Sequence, residues 1–185
     1  MQNEESRTAM SEKFDVIVIG AGAAGLMCAA EAGKRGRRVL VVDHAKKPGR
    51  KILISGVGRC NFTNYDVSAN NFLCKNPHFV KSALSQYTNW DFISMVSKYG
   101  IEFEERDHGQ LFCVNDHTAK DIVSMLLEEC QQAKVEQRYR CDVHSIEKTD
   151  SGFKMHLNTD QVECDSLVVA TGGLSMPKLG ATPFG

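Results

Sequence analysis

Two short apolar runs near the start of the chain are separated by a run of small residues. Residues 14–19 and 38–42 are rich in β-branched residues without polar alternation, which is typical of strands buried on both faces of a parallel sheet. Between them, residues 21–35 have the composition of a helix, and Gly36 lies where a left-handed C-terminal cap is expected. The order of strand, helix and strand predicts a βαβ unit.

The pattern of apolar positions changes in the middle of the chain. Apolar residues at helical spacing predict helices at 77–87, 90–98 and 118–132. Short apolar runs predict strands at 101–105 and 110–114. This part is therefore expected to be an α+β layer inserted into the parallel sheet.

Strands return beyond residue 134. Residues 143–148 and 153–158 flank the turn sequence T-D-S-G, which predicts a β-hairpin. Residues 166–170 form another apolar strand that runs directly into Thr171. The pattern predicts an α/β fold with a central parallel sheet, an inserted α+β layer and a hairpin.

The expected domain organisation follows from these elements. A polar and disordered tail is expected over residues 1–13, followed by a single domain over 14–185. That domain would be discontinuous, with a core at 14–71 and 134–185 and the insertion at 72–133.

Composition excludes several classes of protein. The chain has 22 Lys plus Arg against 23 Asp plus Glu, so its net charge gives no reason to expect nucleic acid or an anionic membrane as a partner. The seven cysteines form no C-x-x-C pair, which indicates reduced thiols in a cytoplasmic protein and predicts no metal site. No apolar run reaches the roughly 20 residues of a membrane span. Nothing in the sequence indicates an oligomeric state.

The first predicted strand and helix are joined by the sequence G-A-G-A-A-G. Gly20 permits a tight turn, Gly22 lets a pyrophosphate approach the backbone, and Gly25 lets the helix pack against the strand. With Ala23 and Ala24, these residues would direct the free N–H groups of the helix N-terminus at phosphates. The motif and its placement predict a dinucleotide-binding turn.

Asp43 ends the second predicted strand, where a carboxylate can accept hydrogen bonds from ribose hydroxyls. The same carboxylate would repel a 2′-phosphate, so an adenosine diphosphate without that phosphate fits best. NAD and FAD both contain this moiety. The motif alone therefore leaves both cofactors open.

A glycine-rich and cationic sequence, GRKILISGVGRCNFTN, follows the second strand. It fits neither a helical period nor a strand alternation, so we expect an extended loop along a cofactor. Arg50, Lys51 and Arg59 would meet pyrophosphate or other anionic groups, and Gly56 with Gly58 would let the backbone approach a flat ring. This arrangement favours FAD, whereas the alternative is an exposed loop whose charges are merely solvated.

Several segments together resemble a known family. The sequences DVIVIGAGAAGL, PGRKILISGVGRCNFTN, GQLFC and LVVATGGLSMPKLGATPFG, with the Asp43 position, are similar to the BaiN-like (YhiN-like, aminoacetone-oxidase-like) family of bacterial NAD(P)/FAD-dependent oxidoreductases. The resemblance implies a glutathione-reductase-like FAD-binding Rossmann domain, with hydride transfer at flavin N5, a small-molecule substrate and NAD(P)H as the electron donor. Family members are longer, so the chain is expected to be an N-terminal portion that is truncated at its C-terminus.

The resemblance also implies a set of cofactor-binding residues. Those for the pyrophosphate, the adenosine ribose, the ribityl region and adenine are Gly20, Gly22, Ala23, Ala24, Gly25, Asp43, Arg50, Lys51 and, through its backbone, Val143. Those for the flavin side and for the turn that returns the chain to the cofactor are Ser55, Gly56, Gly58, Arg59, Cys60, Asn61, Ala170, Thr171, Gly172 and Gly173. No motif supports a catalytic acid or base.

Two residues of the cationic sequence raise separate questions. Val57 stands where the family usually has glycine, and a positive φ there would impose strain of about 1–3 kcal/mol. Cys60 adjoins Arg59, which can activate a thiol, although a packing role is the simpler expectation. The alternatives for the whole chain are an NAD-dependent dehydrogenase and a non-catalytic nucleotide-binding fragment that lacks the substrate domain.

Overall fold

The structure is a computed structural model that describes residues 11–158 and 160–173. Most of the predicted tail and the end of the family-like sequence beyond Gly173 lie outside the described residues. In chain order the strands and helices are β1 (Glu12–Ile19), α1 (Ala23–Lys34), β2 (Val39–Asp43), α2 (Arg50–Ile54), β3 (Asn61–Asn64), α3 (Lys81–Gln86), α4 (Asn89–Lys98), β4 (Phe103–Glu105), β5 (Gln110–Cys113), α5 (Ala119–Gln132), β6 (Glu136–Tyr139), β7 (Ser145–Thr149), β8 (Gly152–His156) and β9 (Gln161–Val169).

The described residues form two compact units. The first comprises residues 11–48 and 129–173, and the second comprises residues 49–128. The sequence predicts an insertion that begins at residue 72, whereas the second unit begins at residue 49. Because β3 lies at 61–64 and pairs with β5, the cationic sequence belongs to the sheet of the second unit. A single discontinuous domain stays a prediction.

The first unit is built on a six-stranded sheet of order β6-β2-β1-β9-β8-β7. Strands β6, β2, β1 and β9 are parallel, and β9, β8 and β7 are antiparallel neighbours. Val16 to Ile19 lie beside Val39 to Val42 in register, so two β-branched runs pack side by side. The predicted α/β Rossmann fold with its mostly parallel sheet and its hairpin is confirmed.

Apolar side chains from several strands form the core of the first unit. They are contributed by β1, β2, β8 and β9 and by the turn after β8. The buried members of this cluster are Phe14, Ile17, Ile19, Leu40, Val42, Met155, Leu157, Val162 and Cys164. Removing this much apolar surface from water is the main stabilising term for the sheet that supports the glycine turn.

The second unit contains a three-stranded antiparallel sheet of order β3-β5-β4. The ring of Phe62 in β3 lies 5.4 Å from that of Phe103 and 6.1 Å from that of Phe92, measured between centroids. Helix α4 begins at a capping box in which Thr88 accepts from the N–H of Asp91 and the carboxylate of Asp91 accepts in return. These contacts give the second unit its own small core.

The predicted extended loop at 49–64 is corrected by the structure. It contains the short helix α2, a 3₁₀ turn at Ser55–Gly58 and strand β3. Burial of Ile52 supports the helix, and pairing with β5 supports the strand. Neither contact is visible in the local pattern of apolar residues.

Other elements differ mainly at their ends. The helix predicted at 77–87 is limited to α3, because the chain before it forms turns in which the Asn76 side chain accepts from the N–H of His78. Strand β9 begins earlier than the apolar run at 166–170, and β7 begins at Ser145 rather than at 143. None of the helices in the described part is long and apolar enough to cross a membrane.

Candidate dinucleotide-binding site

The turn between β1 and α1 contains two glycines that the fold itself requires. Gly20 has φ +107°, and a Cβ atom placed there would lie 2.5 Å from the carbonyl oxygen of Ala170. A Cβ atom at Gly25 would lie 1.8 Å from the carbonyl oxygen of Gly20. The ends of β1 and β9 and the first turn of α1 can therefore approach one another only when both positions lack a side chain.

Gly22 has different surroundings. Its φ is −88°, which suits any residue, and a Cβ atom there would have no described atom within 4 Å. Gly22 caps the N-terminus of the 12-residue helix α1, where the N–H groups of the first turn have no partner within the helix. Ala23 and Ala24 are exposed beside it. The space over Gly22 is therefore open, so a phosphate can approach the N-terminus of α1 there.

The Asp43 carboxylate is held by two backbone donors. The N–H of Ala21 donates to Oδ2 and the N–H of Ala45 donates to Oδ1, each at 2.7 Å. The side chain is only 15% exposed. Both oxygens retain a lone pair for a further donor, so the predicted ribose contact fits the site and stays a prediction. The structural role of Asp43, which links the end of β2 to the glycine turn, is additional to that prediction.

The turn after β9 brings Ala170 to Gly173 to the same edge of the sheet. The N–H of Ala170 donates to the carbonyl of Ile19 at 2.8 Å. Within the described residues the buried hydroxyl of Thr171 has no hydrogen-bond partner. Leaving such a hydroxyl unsatisfied costs about 1–3 kcal/mol, so a polar group of a ligand at this position would stabilise the turn. Gly172 and Gly173 are exposed next to it.

The segment after β6 begins beside Asp43 and Ala45, at the carboxyl end of β2. The N–H of Cys141 donates to the carbonyl of Asp43 at 3.0 Å, and that of Arg140 donates to the carbonyl of Ala45 at 3.1 Å. Val143 follows, just before β7, and packs partly buried against the core of the first unit. The predicted backbone contact between Val143 and adenine stays a prediction.

In the second unit, the cationic sequence begins with Gly49 at φ +68°, where a Cβ atom would lie 2.6 Å from a methyl group of Val123. Arg50 is exposed at the start of α2, and Lys51 is partly buried. Helix α2 is only five residues long, so it provides little helix dipole for an anion. Phosphate binding by Arg50 and Lys51 therefore depends on their own charges and stays a prediction.

The turn from Ser55 to Asn61 has an uncommon backbone. Four of its residues have positive φ, namely Gly56 (57°), Val57 (57°), Gly58 (85°) and Cys60 (52°). The turn closes through the N–H of Cys60, which donates to the carbonyl of Ser55 at 2.9 Å. The Ser55 hydroxyl donates to the carbonyl of Asn61 at 3.4 Å. Val57 therefore has the positive φ at which the sequence predicts strain, because this conformation favours glycine.

This turn is attached to strand β5 at two points. The N–H of Cys113 donates to the carbonyl of Arg59 at 2.9 Å. A Cβ atom at Gly56 would lie 2.6 Å from Cε1 of Phe112, so the backbone rests directly on that ring. The side chain of Arg59 is exposed. Phe112 had no predicted role, because its contact with Gly56 joins residues distant in sequence.

Cys60 is a packing residue in the structure. Its residue surface is 3% exposed, and burial, together with the neighbouring Cys113 thiol, raises the pKa of Cys60 to about 12. A thiol is nucleophilic as its thiolate, which this environment disfavours at neutral pH. The structure therefore supports packing over a reactive thiol, while the predicted proximity of Cys60 to a flavin stays a prediction.

The predicted site residues thus fall into two groups. In the first unit, the glycine turn, Asp43 and the turn at Ala170 meet at the carboxyl ends of β1, β2 and β9, where doubly wound sheets bind ligands. In the second unit, residues 55–61 form one compact turn. No group of three or more His, Cys, Asp or Glu side chains within residues 11–158 and 160–173 is placed to hold a metal ion.

This fold and this glycine turn define a Rossmann domain with a mostly parallel central sheet. The chain belongs to the HI0933-like protein family, whose Rossmann-domain model matches residues 14–185. The relation to the BaiN-like proteins inferred from the sequence is more distant than the relation to other members.

Three curated relatives illustrate this relation. The chain is 57% identical over 174 residues to a ribosomal RNA dihydrouridine synthase of Escherichia coli K12, covering 94% of this chain and 43% of the relative. It is 52% identical over 180 residues to the protein of the same name from Haemophilus influenzae, covering 95% and 44%. Identity with a 3-dehydro-bile acid delta(4,6)-reductase of Clostridium scindens is 25% over 170 residues, covering 91% and 41%. The chain therefore spans less than half the length of these relatives.

Solved structures show the same fold at low sequence identity. A 3-ketosteroid-delta4-(5alpha)-dehydrogenase from Rhodococcus jostii RHA1 has a TM-score of 0.63 and 16% identity, and the match covers 93% of this chain and 48% of that one. The amino acid oxidase NikD has a TM-score of 0.54 and 16% identity over 89% of this chain and 53% of that one. These likenesses support the fold class and not a shared substrate.

Proposed function

We propose that this chain is the FAD-binding part of a flavin-dependent reductase that converts a uridine of ribosomal RNA to dihydrouridine. The observation that supports the substrate is the 57% identity with the Escherichia coli ribosomal RNA dihydrouridine synthase over nearly the whole chain. The observation that supports the cofactor is the open space over Gly22 at the N-terminus of α1, next to Ala21, whose N–H donates to the Asp43 carboxylate. The reaction adds two hydrogen atoms across the C5–C6 double bond of uracil.

The first unit contains residues that fit the adenosine diphosphate half of FAD. The N–H groups of the first turn of α1 begin beside the open space over Gly22 and would hold the pyrophosphate. Asp43 would accept a ribose hydroxyl with the lone pairs that its two N–H donors leave available. The buried Thr171 hydroxyl would gain a polar partner. Bound FAD would supply hydride transfer at its N5 position.

The second unit contains the residues that the sequence assigns to the flavin side. The turn from Ser55 to Asn61 is fixed by its own hydrogen bonds and by β5, so its backbone is pre-organised. Arg50 and Arg59 present exposed guanidinium groups that can pair with phosphate. We also propose NAD(P)H as the electron donor, as the resemblance of the sequence implies.

The other candidates remain distinguishable. A small-molecule substrate, expected from the sequence, is supported by the 25% identity with the bile acid reductase of Clostridium scindens. An NAD-dependent dehydrogenase would bind no flavin. A non-catalytic nucleotide-binding fragment would bind a nucleotide and support no turnover in any context.

Cofactor binding is tested by titrating the purified chain with FAD and following the visible spectrum and flavin fluorescence. We expect binding that is abolished by Gly22→Val, because the added side chain occupies the space that the pyrophosphate needs, while φ at −88° suits valine. Ala83→Val, on the exposed helix α3, is the control for added bulk. Folded Gly22→Val that binds FAD as tightly as the unmodified chain would refute the assignment.

The reaction is tested in a chimera, because the chain spans less than half of its relatives. Residues 14–173 replace the matching segment of the Escherichia coli relative, and unmodified ribosomal RNA is supplied with FAD and NADPH. We expect mass spectrometry of the digested RNA to show uridine that has gained two hydrogens. A folded, FAD-loaded chimera that reduces a keto-steroid and leaves the RNA unchanged would favour the small-molecule candidate.

A further inference from the structure

The second unit contains a long and largely exposed segment at residues 67–90. Every residue from 70 to 79 is exposed, and the helix α3 that follows has no buried residue. The segment therefore contributes little to the core of its own unit. Its sequence contains no Asp or Glu, whereas the chain as a whole has 23 such residues.

Large apolar side chains are concentrated in this segment. Leu73 is 98% exposed, Phe79 74%, Trp90 57%, Phe72 43% and Tyr87 36%. Isolated exposed apolar residues are normal, but a cluster along one segment indicates a surface that contacts a partner. Four of these five side chains are aromatic, which favours a partner that presents flat faces.

One of these aromatic rings already forms part of a stack. The rings of Tyr65 and Trp90 have centroids 5.2 Å apart and planes inclined by 24°. The Asn89 side chain donates to the carbonyls of Asn64 and Tyr65 at 2.9 and 3.0 Å, which fixes the start of α4 against the end of β3. These two hydrogen bonds therefore hold together the two chain segments that carry the rings.

The charges of the segment have a single sign. Lys75 and Lys81 are exposed, and His78 lies between them in sequence. The nearest acids in the chain are Asp66 and Asp91, and the Asp91 carboxylate accepts from both the N–H and the hydroxyl of Thr88 in the capping box. The net charge of −1 for the whole chain conceals this local excess of cations.

We propose that the 67–90 segment, together with Tyr65, is a binding surface for single-stranded RNA. The Tyr65–Trp90 stack would take an unpaired base on its exposed side, and Lys75 and Lys81 would face phosphates. Cations combined with exposed aromatic rings are the usual means by which proteins bind unpaired nucleotides. The inference rests on the proposed function and specifies which surface of the chain meets the ribosomal RNA.

The chain supplies its own optical probe for this contact. Trp90 is its one tryptophan, so quenching of intrinsic fluorescence reports a base stacked on that ring. The chain is titrated at low salt with a short fluorescein-labelled oligouridylate, and anisotropy is recorded in parallel. We expect saturable binding accompanied by quenching, and weakening by about 5- to 150-fold in Trp90→Leu, with partial recovery in Trp90→Phe.

Phosphate contacts are tested by the salt dependence of the same binding. The double variant Lys75→Gln, Lys81→Gln should lower the slope of log affinity against log salt concentration by about 1.4, since each phosphate contact contributes about 0.7 with single strands. Lys120→Gln removes an exposed charge from α5, outside the segment, and should leave the slope unchanged.

Three results would overturn the proposal. The first is that the chain does not bind the oligouridylate at low salt. The second is that the unmodified chain and Trp90→Leu bind it with equal affinity. The third is that the chain self-associates through this surface, so that Leu73→Ser abolishes the self-association, and binds no RNA. If Trp90→Leu fails to fold by circular dichroism, Phe79→Ser takes its place, because that side chain is 74% exposed. Binding is measured without FAD or NADPH, so it is independent of the reaction. A chimera that reduces RNA, combined with a chain that does not bind the oligouridylate, would refute the binding surface but not the proposed function.

Discussion

Val57 offers a direct measurement of backbone strain in the turn at Ser55–Gly58. Its φ of 57° and ψ of 40° lie in the left-handed region, and its side chain is fully exposed. Replacement by glycine therefore removes the conflict between Cβ and the backbone without removing any packing. The gain from relieving the left-handed conformation is about 1–2 kcal/mol, and a β-branched residue belongs at the upper end.

The unfolded state opposes this gain. Glycine has more conformational freedom in the unfolded chain, which costs about 0.5–1 kcal/mol. We therefore expect Val57→Gly to raise the free energy of unfolding by about 1–1.5 kcal/mol, which is the upper end of the gain less the cost in the unfolded state. For a chain of this size, that difference raises Tm by about 2–6 °C.

The assay is thermal and urea unfolding of the chain without FAD, followed by circular dichroism. Val57→Ala keeps a Cβ atom and should gain little, whereas Val57→Asn should fall between alanine and glycine, since asparagine tolerates this conformation. Val169→Gly, at a 47% exposed valine in β9, should lower stability, because glycine in a strand is unfavourable. A Val57→Gly chain that is no more stable than Val57→Ala would show that Val57 is unstrained.

Three further outcomes are expected from the described contacts. Gly25→Ala should destabilise the chain by several times as much as Gly22→Ala in urea unfolding, because the new Cβ would lie 1.8 Å from a carbonyl oxygen in the first case and meets open space in the second; equal losses would contradict this steric argument. Below about pH 9, iodoacetamide should alkylate Cys74, which is exposed, and spare Cys60, whose pKa is raised to about 12 by burial, as measured by peptide mass spectrometry; rapid labelling of Cys60 in the folded chain would contradict the packing role. Asp43→Ala should lower the free energy of unfolding by about 2–3 kcal/mol, since the N–H groups of Ala21 and Ala45 lose a charged acceptor, and a stability within error of the unmodified chain would contradict this.

The elements predicted from the sequence are those whose signal is local. The strands β1 and β2 are continuous apolar runs, and the glycine motif between them marks the start of α1. Strand β6 has the polar sequence EQRY and borders the sheet beside β2, so no apolar run identifies it. Strand β3 depends on its pairing with β5, which joins residues far apart along the chain.

In the candidate site, too, a local motif predicts some residues, whereas the contacts of others join distant segments. The roles of Gly20 and Gly25 follow from a motif whose geometry is general, and the Cβ distances agree with them. The two N–H donors of Asp43 and the aromatic ring beneath Gly56 arise only when distant segments meet. The stack of the partly buried Tyr65 on the exposed Trp90 also joins residues distant in sequence, so no local pattern indicates it.

The two N–H bonds of Asp43 make the length of this side chain as important as its charge. The carboxylate bridges Ala21, after β1, and Ala45, after β2. Glutamate would conserve the charge and still disturb the glycine turn, because one additional methylene group displaces both oxygens from their donors. At this position the substitution regarded as conservative by charge is therefore not conservative by geometry, and the length of Asp43 sets the spacing between the glycine turn and the end of β2.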